Sequence, residues 1–446
     1  MRQPDRGRPD RSARRSLVGW VVGFGCSVLA DQIFFLSLAW AAVQLNVPGL
    51  VGLVLAAGSL PRLLVLLLGG ALADAKSPKR IIIGTDSGRA VVMAGAAVIL
   101  LLGSMNAWAL AAVAVAIGTL DGFFLPAVAA LPVRLASSEP IGRVAALRTV
   151  TQRVGMLAGG PVAGWLIYLY GPGAAFAGSS LLFTLSVISL AMVTLSPSPA
   201  TEPVAPWHRR QRRQRWRSRR LLARTWAETT SSFRMVRRDP VLAGLLLLIA
   251  GMNLGFSGPF TAGIPLLAAG KGWGAHGAGL LVGAFGIGAA VSGLGLLLLR
   301  RVPRAGLVQL AAMLSMGLAV AAPGVVTHLS LALAGAVVLG LSSGVFGTVA
   351  YGLLLDVTPT AEVGRVMALL SLILEGTAGV SFLATGAIAS TLGAGATFLL
   401  GGLVIVLSTF LGALQPYLRV LRMQGSDAAA RKGPRRKQGE RVSTSG

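Results

Sequence analysis

The chain has 446 residues, 54% of them hydrophobic and 12% charged, and its 40 Lys and Arg against 15 Asp and Glu give a formal net charge of +25. So apolar a composition excludes a soluble nucleic-acid binder, because the basic residues are spread between apolar runs instead of gathering on one folded surface. A single cysteine, Cys26, excludes a disulfide framework.

Residues 1–16 form a basic tail in which Arg14-Arg15 resembles a twin-arginine signal. The apolar run that follows is too long for a signal h-region and contains Asp31, so it reads as an uncleaved first helix. Five more apolar stretches follow at 49–73, 81–103, 107–133, 144–169 and 174–195, completing with 17–44 an amino-terminal set of six over 17–196. Residues 197–239 interrupt them with a Pro-rich and then Arg-dense segment. That composition suits a solvated linker, or in its second part a short helix along an anionic inner leaflet. Six further stretches at 241–268, 278–299, 305–326, 329–355, 366–390 and 396–418 make a carboxy-terminal set over 240–418, and 419–446 is a basic disordered tail. Each stretch reaches the ~20 residues needed to cross a bilayer.

The gaps after the first, third, fifth, ninth and eleventh stretches contain no Lys or Arg, and the seventh holds only Lys271. The even gaps and both tails carry the rest. Short basic loops stay cytoplasmic, so the expected topology is a multi-pass protein of the cell membrane with both termini inside. "GRVAAL" at 142–147 opens the fifth stretch and "GRVMAL" at 364–369 opens the eleventh, six stretches later. Together these features predict an all-α membrane protein of twelve transmembrane helices in two six-helix bundles related as parallel repeats.

Between the second and third stretches the sequence "GGALADAKSPKRIII" resembles the signature loop of the major facilitator superfamily. Gly70, Leu72, Asp74, Lys79 and Arg80 match it, whereas Ala75, Ser77 and Pro78 stand where that family often has Arg, Gly and Arg. "GGPVAGW" is similar to the Gly-Pro motif of that superfamily's drug/proton antiporters at Gly160, Pro161 and Gly164, with Trp165 replacing a second Gly. "LPRLLVLLLGGALAD", "FFLPAVAALP" and "SFRMVRRDP" resemble the subgroup of enterobactin and macrolide exporters. The resemblance implies that helices one, four, seven and ten line a central cavity, with two packed on eleven and five on eight between the halves. It also implies a gating role for Asp74, through the N-terminus of helix eleven or through Arg134; the alternative is a topology anchor.

Ionisable groups at membrane depth are functional candidates by default. At ~1.5 Å per residue, Asp31 lies about 20 Å in, Arg62 about 16 Å, Asp121 about 15 Å, and Glu375 and Arg153 about 13 Å. Asp31, without an evident partner, is the first candidate for proton coupling, since burial disfavours a lone carboxylate anion. Asp121 is the second, with Arg153 as the cation able to hold it ionised. Arg62 and Glu375 share one depth on helices packed across the halves, and read as a breakable latch or a permanent structural pair. Asp86 and Arg89, three residues apart, read as a local surface pair. Gln32, Phe35, Arg148, Gln152, Asn253 and Tyr351 are expected to line the substrate cavity.

His208, His276 and His328 are too scattered for a metal cluster, and "LAAGKGW" has only the Gly-Lys of a phosphate loop, so no cofactor is expected. The expected function is export of a small, largely hydrophobic compound, such as a drug, natural product or siderophore, in exchange for protons. The alternatives are a proton-coupled importer of the same fold, and a non-transporting membrane receptor or enzyme. The expected partners are the substrate, protons and anionic lipid, and the protein itself is expected to be a monomer.

Overall fold

The computed structural model describes residues 11–73, 77–103, 106–135, 141–193, 235–298, 304–359 and 362–421. Four helices come first: α1 (Arg11–Val43), α2 (Pro48–Ala73), α3 (Pro78–Leu101) and α4 (Ala107–Leu135). The next helical run, Ile141–Ala191, is broken at Gly171, whose φ of 81° and ψ of 172° only glycine adopts without strain. It is therefore two spans, α5 (141–170) and α6 (172–191), and the eleven long apolar runs of the described residues make twelve crossings. Most of the basic linker falls outside the described residues.

The second half begins with Asp239, whose Oδ1 accepts hydrogen bonds from the Val241 and Leu242 amides at 2.9 and 3.1 Å and caps the next helix. That helix, α7, runs as Pro240–Gly258, a π-helical turn Pro259–Gly263, and Ile264–Gly270. Then come α8 (Gly274–Leu298), α9 (Ala305–Val325), α10 (Leu329–Val357), α11 (Val363–Leu392), α12 (Ala394–Ala413) and a short α13 (Pro416–Val420). Gly393, between α11 and α12, has φ 86° and ψ 162° and repeats six spans later the turn made by Gly171.

Packing repeats as well. In the first half α1 packs on α5, α2 on α4, and α3 on α4 and α6; in the second, α7 packs on α11, α8 on α10, and α9 on α10 and α12. The halves meet along two seams, α2 on α11 and α5 on α8. Glycines make both seams tight. A Cβ at Gly52 would lie 2.8 Å from Gly386 Cα, and one at Gly164 would lie 2.9 Å from Gly279 Cα. These contacts sit toward the ends of the helices that carry the near-neutral gaps, called here the neutral end. From there the seams run inward to Ser59 with Gly379 and to Leu157 with Gly286.

Two lysines explain details of the charge pattern. Lys79 Nζ, at the start of α3, donates to the carbonyls of Ala191 (2.9 Å) and Val193, capping the end of α6. Lys271, the single cation of the odd-numbered gaps, donates to the Pro323 (2.9 Å) and Val326 carbonyls and caps α9. Partial burial lowers its pKa below the ordinary lysine value.

Candidate functional site

Between the bundles lies a cavity of about 460 Å³, within the range of small-molecule sites. Its walls come from α1, α2, α4 and α5 on one side and α7, α8, α10 and α11 on the other, so the seam helices contribute alongside one, four, seven and ten. The two walls differ in chemistry. The first half supplies most of the charge, Arg62, Asp121 and Arg153, to which the second adds Glu375. The second supplies a cluster of rings in Phe256, Phe260 and Phe285, with centroids 4.6–5.7 Å apart. Phe260 falls within the π-turn of α7, an irregularity that re-aims side chains and is frequent at functional sites.

Arg89 is the hub of the charged wall. It is 1% exposed, and its guanidinium donates to Asp121 Oδ1, lies 3.1 Å from Asp86 Oδ1 and 3.8 Å from Asp31 Oδ1, and stacks 4.0 Å over the Phe124 ring. Asp86 is fully buried and accepts hydrogen bonds from Ser186 Oγ (2.7 Å) and Ser27 Oγ (3.3 Å). The chain of charge then leaves the first half. Arg62 Nη2 is 3.9 Å from Asp121 Oδ2, and Arg62 Nε is 3.5 Å from Glu375 Oε1 across the α2–α11 seam. Asp31, Arg62 and Glu375 are each about one-fifth exposed and form the accessible edge of the cluster. Asp31 Oδ1 accepts no hydrogen bond from the described residues.

This geometry corrects several readings of the sequence. Asp86 and Arg89 are not a surface pair, because they lie eight and eleven residues into α3, about 12 and 16 Å from its start, and face the bundle interior. Asp31 is not alone, since the long Arg89 side chain reaches it from α3. Asp121 is held by Arg89 and Arg62 instead of Arg153.

Three of the expected cavity residues lie off its wall: Arg148, Gln152 and Tyr351. The cavity face of α5 carries Arg153 and Met156, and Gln152 is turned about 100° away on the helix and exposed. Gln32, Phe35 and Asn253 do line the cavity, but the Asn253 amide is committed, donating to Leu374 O and Thr377 Oγ1 and accepting from Ser257 Oγ.

Gly160, Pro161 and Gly164 form the α5 face of the second seam, against Val282, Gly283 and Gly279. Trp165 is half exposed and its ring contacts Tyr168. In the motif loop, Asp74 lies outside the described residues, Gly70 and Arg134 are placed by backbone only, and Arg80 is exposed. Sequence reading missed Arg89 as hub and Ser27 and Ser186 as donors to Asp86.

The family model described as Major Facilitator Superfamily matches residues 20–333. No curated protein matches the chain. Among solved structures, a single-residue mutant of the nucleoside transporter NupG superposes with a TM-score of 0.70 at 12% identity, covering 90% of this chain and 99% of that one. Another NupG structure gives 0.63 at 14% identity, covering 91% and 99%. At such identities the likeness is one of fold.

Proposed function

Because the chain belongs to the Major Facilitator Superfamily, and is thus a multi-pass secondary transporter of a small molecule, we propose that it exports a small, largely hydrophobic compound in exchange for protons. The observation that carries the proton is a mismatch of charge. Four carboxylates, Asp31, Asp86, Asp121 and Glu375, share the guanidiniums of Arg62 and Arg89. Uncompensated charge at membrane depth costs several kcal/mol per group, so the cluster holds protons in place of the missing cations. Asp31 and Glu375, at its accessible edge, are where those protons enter and leave; Asp121, shared by both arginines, is the second site.

The Arg62–Glu375 contact gives the proton a way to act on conformation. Neutralising Glu375 removes the only ion pair that joins the two halves among the described residues, and the α2–α11 seam is freed to part. Alternating opening at the two ends then moves the solute past the cavity. The apolar rings of the second half support a largely hydrophobic solute, and the antiporter-like Gly160-Pro161-Gly164 seam supports exchange. The basic end is the cytoplasmic one in this reading, with both termini inside and the chain acting as a monomer.

The test compares accumulation of fluorescent aromatic compounds of differing charge in cells with and without the protein. Export lowers accumulation, and the difference disappears when a protonophore collapses the gradient. Raised accumulation establishes the competing importer, and movement that ignores the gradient overturns proton exchange.

A further inference from the structure

Arg153 has no role in the charge cluster, yet it lines the same cavity. No ion pair or hydrogen bond joins it to any described side chain, whereas each carboxylate of the cluster lies within 4 Å of Arg62 or Arg89. It lies 12 residues into α5, about 18 Å along the axis. A guanidinium cannot shed its charge at that depth, so it needs a counter-charge from whatever fills the cavity.

Its surroundings specify the rest of the ligand. Leu157, one turn from Arg153 on α5, packs against Gly286, the neighbour of Phe285 on α8. The ring cluster Phe256–Phe260–Phe285 therefore stands about 6 Å farther toward the neutral end than Arg153. Met156 and Gln32 share this part of the wall, and the Gln32 amide makes no hydrogen bond to the described residues. Aromatic rings favour offset or edge contacts with other rings, and a guanidinium favours a carboxylate in a two-point fork.

The geometry points to an aromatic organic acid as the transported compound, its rings against Phe256, Phe260 and Phe285 and its anionic group on Arg153. Charge balance agrees: two protons on the four carboxylates offset their excess over Arg62 and Arg89, and a monoanionic solute offsets Arg153. The inference deepens the transport reading and rests on it for the cavity being the solute's site.

The test uses benzoate, 2-naphthoate and 9-anthroate, each paired with its neutral amide, binding to the purified full-length protein in lipid nanodiscs near neutral pH. At least one acid should bind about tenfold more tightly than its amide, the change that one hydrogen bond to a charged group makes. Arg153→Gln should bring that ratio close to one, and Arg153→Lys, which keeps the charge and loses the fork, should retain part of it. The inference is overturned if no acid outbinds its amide, or if the preference survives Arg153→Gln in protein of unchanged thermal stability. Should Arg153→Gln fail to accumulate, the wild-type ratio decides alone, a value under about threefold being too small for a charge-assisted bond. Acid-selective binding with gradient-independent movement would overturn proton exchange and leave this inference standing.

Discussion

Replacing Glu375 by Gln tests whether the ion pair across the α2–α11 seam holds the neutral end shut. Two unit charges 3.5 Å apart attract by a gross ~5 kcal/mol at an effective dielectric of about 20. Desolvation offsets most of this, and Arg62 is not orphaned by the change, because Asp121 Oδ2 remains 3.9 Å away. The net loss is therefore about 1–2 kcal/mol instead of the ~3–5 kcal/mol typical of a stranded buried charge, and it shifts the balance toward opening by about five- to thirtyfold.

Ser59, on the cavity wall, reports that shift. In a Cys26→Ser background, a Ser59→Cys thiol should react with a membrane-impermeant maleimide added at the neutral face, at a rate set by the open fraction. Glu375→Gln should raise that rate five- to thirtyfold. The control is a Gly49→Cys, Ser390→Cys pair: a Cβ at Gly49 would lie 4.0 Å from Ser390 Cβ, within disulfide range. Its oxidation should abolish labelling and reduction should restore it. A labelling rate unchanged within about twofold would refute the latch and leave Arg62–Glu375 a permanent structural pair.

Asp31→Asn preserves shape and removes a proton carrier, so exchange should stop in proteoliposomes with a pH gradient while the protein still inserts and binds solute; undiminished exchange would move the proton site to Asp121. Arg89→Met strands Asp31 and Asp86 and leaves Asp121 only its 3.9 Å contact with Arg62, and it should cost at least ~3–5 kcal/mol, seen as a large fall in melting temperature or loss of folded protein. Gly279→Leu places a Cβ 2.5 Å from the Gly160 carbonyl. It should hold the α5–α8 seam apart, raising Ser59→Cys labelling even with Glu375 intact, and normal closure would contradict the packing.

The fold was legible because two independent signals coincide, the length of each apolar run and the alternation of basic gaps. Lys271 breaks the alternation, and capping α9 accounts for it. Arg62 and Glu375 could be placed at one level because depth along a helix follows from counting residues. Angular position and convergence are harder to read from one chain. Arg148 and Gln152 stand out because the matching positions of the second repeat are Leu370 and Leu374, but the cavity-facing residue is Arg153, one position from Gln152. Asp86 and Arg89 sit at a spacing that suits a local pair, and nothing in α3 alone shows that Asp31 of α1 and Asp121 of α4 converge on the same guanidinium. The export subgroup suggested by the motif resemblance stays a proposal, since the family match and the NupG likeness reach only the superfamily and its fold.

The two glycine seams bear on how cheaply the molecule can cycle. At Gly52 with Gly386 and Gly164 with Gly279 backbone meets backbone, and the side chains beside them are short or stiff, such as Ser59, Pro161 and Val282, so parting the halves frees few rotamers and rejoining them freezes few. The contact behaves like two flat plates instead of a zipper, and its strength comes mainly from short-range dispersion, of which a gap of ~0.5–1 Å already forfeits a quarter to a half. Such a joint has little intermediate resistance: it is shut or free, which suits a machine that must expose its load to one compartment at a time and never to both.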